Sequence, residues 1–398
     1  MPAPDLACDE AINAPGDYFP RVLEAGPVQW SDAQRAWLAL SHAEVEAGFR
    51  DTETLSADRS GAFQRAARGR SEGFAKAVEL LSAWMNFRDP PVHTTLREPV
   101  KGAFTPRAVA SLERQIQRIV DAAIDAFEGD TVDLNAAFAH PIPAHVIATI
   151  LGADPADAHR FQDWSDDIGR LVFAMEPGKV EEGPVSQATA EFVAYFGALI
   201  EKERREPSGS VLSAIVHSPI GELTPMQLVG ACTLILFGGH ETTTTLLTNT
   251  LCLLLERPAL VDWLRRNPDK TGLAVEEFMR VVGPARSMPR KVAVAHERGG
   301  QRLEPGQNVF LAIVSANHDP AVFKDPADID LTRDPNPHMG FGWGLHFCLG
   351  ANLARLEARI ALNSLFQRFA RFEPAGPIPP VKASPMGFGR RPVLARLR

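Results

Sequence analysis

Apolar residues recur every three or four positions along much of this chain, and short Pro-, Gly- and Asp-containing breaks separate the periodic stretches. One stripe runs through Val109, Leu112, Ile116, Ile119, Ala123 and Phe127. Thr105-Pro106 ahead of it reads as an N-cap followed by proline at the first helical position, and Gly129-Asp130 ends it. Further helices are predicted from Ala156 to Val172 and from Ala188 to Arg204, with the Pro/Gly-containing stretch 177–184 between them. The longest helix is predicted over Pro225–Glu256, where Thr224 can cap it and Arg257-Pro258 stops it. Strand signals cluster later: Val292-Ala293-Val294 and Val309–Ile313 flank a turn at Glu304-Pro305-Gly306. The pattern predicts a mainly α chain with a small β-rich region. Helix dominates 85–290 and 335–370, and strands fall in 291–315 and 380–398.

Composition adds few constraints beyond this. No Gly/Ser-rich linker, low-complexity tract or internal repeat divides the 398 residues, so a single domain over 1–398 is expected. The four cysteines, Cys8, Cys232, Cys252 and Cys348, are scattered with no C-x-x-C spacing, which argues against a disulfide framework or a zinc cluster. The N-terminus lacks a basic segment followed by an apolar one, and no apolar run reaches the roughly 18 residues needed to span a bilayer. No membrane anchor and a cytoplasmic location are therefore expected. A net charge of −8 argues against a general nucleic-acid binder.

Two segments carry chemistry. The first is G-G-H-E-T-T-T-T, 238–245, in the middle of the long helix. Two interior glycines cost about 1 kcal/mol each relative to alanine, and four threonines add poor helix formers. Thr242 stands four residues after Gly238, so its hydroxyl can compete for that carbonyl and loosen the helix. A groove bare of side chains with an acid–alcohol pair beside it would result; a Gly/Thr packing site between helices is the alternative. His240-Glu241 also begins H-E-x-x-H, but Thr244 occupies the second histidine position, so a zinc peptidase site fails on spacing. The second segment is F-G-W-G-L-H-F-C-L-G, 341–350, where glycines frame Cys348 and a helical pattern begins at once. Glycine lets backbone approach a flat ligand, and a helix N-terminus favours a thiolate under a metal.

The second segment resembles the haem-binding loop of the cytochrome P-450 family, with Phe341, Gly344, Cys348 and Gly350 in its spacing and His346 two before the cysteine. The resemblance implies haem b with Cys348 as axial thiolate and metal ligand, His346 on a haem propionate, and O2 as co-substrate. Residues 238–243 resemble the family's oxygen-activation motif, which implies Gly238 against the haem, Glu241 as the acid and Thr242 as the alcohol that deliver protons. Glu277 and Arg280 in E-E-F-M-R resemble its Glu-x-x-Arg pair, a buried support for the haem loop. In the following segment, 325–338, Asp328 stands where arginine is usual and Ile329 where phenylalanine is usual. Arg333 and His338 are the candidates for third partner of that pair. His93 and Arg97, four residues apart, resemble the family's His-x-x-x-Arg segment and, with Arg290, imply further propionate contacts. The resemblance runs from about residue 85 to the C-terminus and is weak over 1–80.

It implies the cytochrome P-450 fold, a triangular helical prism around a buried haem, and a monomeric monooxygenase that inserts one oxygen atom from O2 into a hydrophobic small molecule. No flavin, nicotinamide or iron–sulfur fingerprint is present, so electrons are expected from a separate ferredoxin and reductase. Arg107, Arg114, Arg355 and Arg359 are candidates for the basic docking face. A peroxide-driven peroxygenase and a non-enzymatic haem sensor or carrier are the alternatives; the intact Glu241-Thr242 pair speaks against both. The substrate pocket is expected from the loop around 60–85, the helices in 160–195, the long helix, Ala285–Pro289 and the turn Pro385–Phe388. Phe74, Leu234, Phe237, Met288 and Phe388 are its candidate apolar lining, and Arg286 a candidate anchor for a carboxylate.

Overall fold

The computed structural model describes residues 3–174, 177–381, 383–389 and 391–398; the predicted regions 160–195 and 380–398 each include positions outside that range. The chain divides into two compact units. One comprises Met1–Ser56, Val120–Ala139 and Thr242–Arg398, the other Ala57–Ile119 and His140–Glu241.

Among the described residues the first unit holds all the strands: β1 (Val28–Ser31), β2 (Ala36–Ala39), β3 (Leu55–Ser56), β4 (Thr131–Asp133), β5 (Met288–Val292), β6 (His296–Arg298), β7 (Gln301–Leu303), β8 (Asn308–Leu311), β9 (Phe372–Pro374) and β10 (Leu394–Leu397). The main sheet has the order β1-β2-β8-β5-β3, with only β2 and β8 parallel. Alternation in β8 sends Val309 and Leu311 to a core with Val45 and Phe49, and Phe310 to one with Tyr18 and Phe19. Helices thus cover both faces: His42–Arg50 on one, Asp9–Asn13 and Pro15–Leu23 on the other. The N-terminal strands of this sheet, in the stretch of weak resemblance, carried no strand expectation.

The β-rich region differs from the sequence reading in detail. β5 starts at Met288 and ends at Val292, earlier than expected, because Pro289 is tolerated within it: β3 pairs only with Lys291 and Val292, leaving Pro289 beyond its end. The hairpin β6–β7, turning at Gly299-Gly300 with both φ positive, lies between β5 and β8 ahead of the expected turn. Ile313 leaves the strand to start the short helix Ile313–Ala316.

Helix boundaries follow the caps. Thr105 Oγ accepts from Ala108 N, but the expected 105–127 helix is two, Pro106–Ala110 and Glu113–Asp125. Ser111 Oγ donates to the Ala108 carbonyl at the break, at 2.6 Å, in competition with helical bonding. The helix expected from Ala188 begins at Glu182, since Pro184 falls in its first turn, where no backbone donor is needed. The long helix spans Pro225–Glu256 and stays α-helical through 238–245. At its start Thr224 and Gln227 cap each other's backbone N–H groups. In the second unit, Phe161, Trp164, Phe192, Tyr195 and Phe196 pack ring on ring between the helices Ala158–Val172 and Glu182–Arg205. No helix among the described residues is long and apolar enough to cross a membrane.

Candidate active site

In the first unit, the loop before the helix Ala351–Arg368 presents Cys348 as an exposed thiol. Two glycines shape that loop, Gly342 at φ +68° and Gly344 at φ +67°, and a Cβ at Gly344 would lie 3.0 Å from the Phe49 carbonyl oxygen. Cys348 N donates to Phe341 O at 2.9 Å, closing the loop under the sulfur. Gly350 precedes the helix, and nothing lies within 4 Å of where its Cβ would be. Leu345 (44 %) and Phe347 (37 %), within three residues of Cys348 in the same loop, are exposed. A soft sulfur donor, open backbone and uncovered apolar side chains suit a flat, greasy, metal-bearing ligand. His346 lies in the single helical turn Gly344–His346 of this loop. Arg290 is buried on β5, its guanidinium 5.5 Å above the Phe49 ring.

A polar network in the same unit holds this loop from behind. Arg280 makes a two-pronged pair with Glu277 at 2.7 and 2.8 Å, both side chains fully buried. The remaining guanidinium donors reach the carbonyls of Asn317, Pro326 and Asp328. Glu277 also accepts from Arg333 Nε at 3.2 Å, Asn336 Nδ2 at 3.0 Å and Asp330 N at 2.9 Å. Burial pushes its carboxyl up, and the Arg280 bonds and charge outweigh it, so the pKa falls below the usual range. Arg333 is thus the candidate that reaches Glu277. His338 instead meets Glu276 at 3.1 Å, and Asp328 contributes its main chain.

Glu276 is the residue that sequence reasoning passed over, although it opens the quoted E-E-F-M-R. Arg355 grips it with two bonds of 2.7 Å, and the Arg355 guanidinium lies 4.4 Å from the Phe341 ring centre. Burial raises the Glu276 carboxyl, but the bonds from His338 and Arg355 overcome it and bring the pKa to about 2. Arg355 is therefore an ion-paired strut of the loop whose side chain remains partly exposed. Arg286 likewise departs from expectation. It is buried, with Nη2 donating to the carbonyls of Leu6 at 2.7 Å and Ala11 at 2.9 Å and its guanidinium over the Phe388 ring. Its position ties the N-terminal segment down, because buried guanidinium donors must find acceptors.

In the second unit, His93 and Arg97 lie one turn apart on the helix Val92–Lys101. Burial lowers the His93 pKa, and the Arg97 charge lowers it further, so a neutral imidazole is favoured. Phe74 is fully buried beneath the Arg70 guanidinium, a core position rather than a lining one. Phe237 packs between Trp84 and Phe173, and Leu234 is half-buried one turn before Gly238. The two glycines of the long helix differ. A Cβ on Gly239 would come within 2.3 Å of Ile147 Cδ1, so this glycine seats the helix Pro141–Leu151, while Gly238 faces open space. Glu241 and Thr242 follow in sequence, Glu241 ending this unit and Thr242 beginning the next segment of the other.

Residues 187–398 match the model of the cytochrome P-450 family. The chain is 40 % identical over 294 residues to the putative cytochrome P-450 YjiB of Bacillus subtilis (strain 168), covering 72 % of this chain and 73 % of that protein. It is 34 % identical over 343 residues to 6-deoxyerythronolide B hydroxylase of Saccharopolyspora erythraea, covering 84 % and 83 %. The solved structure of CxnD, a cytochrome P-450 for C–S bond formation in chuangxinmycin biosynthesis, superimposes with a TM-score of 0.85 at 31 % identity over 100 % of this chain and 98 % of that one. Sequence and fold agree, and the chain belongs to the cytochrome P-450 family of haem-thiolate monooxygenases.

Proposed function

We propose that Cys348 is the thiolate ligand of haem b in a monooxygenase acting on a hydrophobic small molecule, with Glu241 and Thr242 delivering protons. The observation that carries this reading is the exposed Cys348 thiol, held in a glycine-shaped loop at a helix N-terminus among bare apolar side chains. Haem, when bound, supplies the iron at which O2 is reduced and from which one oxygen atom is transferred. The chain's residues do the rest. Phe341, Gly344 and Gly350 would pack against the haem, and the backbone at Gly238, which carries no side chain, would admit it on the long helix. His93, Arg97, Arg290 and His346 supply propionate donors, the arginines as charged forks. The Glu277–Arg280–Arg333 and Glu276–Arg355 networks hold the loop so that the sulfur keeps its place. Thr242 Oγ would hold a proton for the reduction of O2, and Glu241 would replace it.

Electrons come from a separate ferredoxin-type donor in this reading, since no second redox cofactor motif accompanies the chain. Arg107 and Arg114, which are exposed, and Arg355 and Arg359, which are half-buried, are the candidate cations for docking it. The named relatives include a hydroxylase and a C–S bond-forming enzyme, a breadth that leaves the substrate class at "hydrophobic small molecule". The test is spectroscopic. Reduced protein under carbon monoxide is expected to show the red-displaced Soret band of thiolate ligation, and Cys348→Ser to lose it. A Cys348→Ser protein with an unchanged spectrum would overturn the assignment.

A further inference from the structure

We propose that His240 is a proton relay, passing protons that enter at His140 on to the Glu241 carboxylate. The proposal rests on the reading of Glu241-Thr242 as the proton-delivering pair. Its starting point is a buried imidazole that fold stability does not explain. His240 is 1 % exposed, and neither ring nitrogen makes a hydrogen bond of proper geometry. Burying a polar ring in that way is a cost, and a leucine there would avoid it. What His240 does have is Nδ1 at 3.2 Å from Glu241 Oε1, inside ion-pair distance, and the ring of His140 with its centre 4.8 Å away at a 55° tilt.

The placement follows from the adjoining glycine. Gly239 brings the long helix down onto Ile147, and His140 stands at the N-terminus of that same partner helix, Pro141–Leu151. The absent Cβ thus puts the two imidazoles in contact. His140 is only half-buried, and its main chain is fixed by Pro141 after it and by its carbonyl accepting from Gln162 Nε2. The resulting series runs from a half-buried residue, through a sealed ring, to a carboxylate whose side chain is 19 % exposed. Imidazole nitrogens and carboxyl oxygens can each hold and pass on a proton.

The transfer balances without electrons. Glu241 gives up its proton toward Thr242 and is left as carboxylate. His240 receives a proton on one ring nitrogen from protonated His140 and releases the other, from Nδ1, to Glu241 Oε1. His140 recovers its proton from water. The net change is one proton moved from solvent to Glu241, and reorientation of the His240 ring restores its starting tautomer. Reducing O2 with release of water consumes two protons, so this series operates twice per turnover.

The critical variant is His240→Gln, which keeps a hydrogen-bonding side chain but cannot relay a proton. With a plant-type ferredoxin and its reductase as electron source, and O2 alone as substrate, NADPH oxidation by H240Q is expected to slow on the order of tenfold. The solvent isotope effect on that rate is expected to rise. Oxidation of guaiacol driven by hydrogen peroxide, which brings its own protons, is expected to stay within about twofold of the parent, since no general-acid contribution is then withdrawn. Infrared spectra of the resting protein give a readout that needs no turnover. The carboxyl band that disappears in Glu241→Gln is expected to shift in H240Q. His140→Phe is expected to slow NADPH oxidation in the same direction. If H240Q keeps the parent rate, isotope effect and carboxyl band while Glu241→Gln slows turnover, the relay is wrong and the role of Glu241 stands. If Glu241→Gln and Thr242→Ala also leave the rate and isotope effect unchanged, the proton-delivering pair falls and the relay with it.

Discussion

Glu357, on the Ala351–Arg368 helix, is fully buried with no hydrogen bond to either carboxyl oxygen, and burial raises its pKa well above the usual range. Folding therefore favours the protonated form. As pH rises above the unfolded-chain value of about 4.3, the unfolded state has shed this proton and the folded state has not, so stability declines toward the raised folded pKa. Glu357→Gln removes that titration. Its urea-unfolding free energy is expected to lose less between pH 5 and pH 8 than the parent's, and an equal or larger loss would contradict a neutral Glu357. Glu276 has the opposite sign. Burial pushes it up, but the bonds from His338 and Arg355 prevail and bring it to about 2, so its contribution is present above about 4.3 and lost as pH falls toward 2. Glu276→Gln is expected to cost on the order of 2 kcal/mol at pH 7 and almost nothing near pH 2. Because Arg355 also lies over Phe341, the variant is expected to release haem faster, measured by transfer to apomyoglobin. Side chains such as these were the least legible part of the sequence. Glu276 and Glu357 look like ordinary helix surface acids, and their burial depends on what packs against them.

The long helix shows how far an element can be read from its residues. Its bounds, Pro225 to Glu256, follow from a threonine cap and a proline stop, both local signals. The doubled glycine at 238–239 was legible as a departure from helix propensity, but its two members were indistinguishable in sequence. They separate only through neighbours: Ile147 fills the space at Gly239, and nothing fills it at Gly238. Gly239→Ala forces overlap with a packed side chain and is expected to lower stability by about 1–3 kcal/mol, with Ile147→Ala in the same chain restoring part of the loss. Gly238→Ala gains helix propensity without a clash, and the haem-free protein is expected to gain about 1 kcal/mol. A thermal scan of the two haem-free variants beside the parent separates them, and equal shifts would refute the distinction. Strands were less legible than helices. Proline in β5 and the inserted β6–β7 hairpin moved the expected boundaries, while β1 and β2 pair with each other and with β8 through contacts far apart in sequence.

At the scale of the whole molecule, the family was legible because its chemistry is written in short spacings: Phe341 to Gly350, Gly238 to Thr243, Glu277 to Arg280. The first 80 residues carry no such spacing, and their contribution to the main sheet came only from the structure. The two units also differ in how their charges answer to acid. In the first, carboxyls held below their usual range include Glu277, Glu276 and Asp51, where burial works against ionisation and is overcome by Arg280 at Glu277, by His338 and Arg355 at Glu276, and by bonds from Thr54 and the Arg298 charge at Asp51. Asp330 is lowered by its bonds with Thr332. In the second unit, Glu182 and Asp157 are lowered mainly by their arginine contacts near the surface, where water screens the pair and the contribution to stability is small. Glu203, held by three serines, is the buried exception. A lowered carboxyl stabilises above its unfolded pKa of about 4 and loses that contribution as pH falls through its folded value. Protonating Glu277 leaves Arg280 as a fully buried guanidinium without its counter-ion, a defect that typically costs about 3–5 kcal/mol. Acid is therefore expected to open the first unit before the second. Hydrogen exchange followed along a descending pH series checks it: amides of Thr271–Val282 are expected to lose protection at a higher pH than those of Glu182–Arg205, and simultaneous loss would show that the Glu277 network does not set the acid limit.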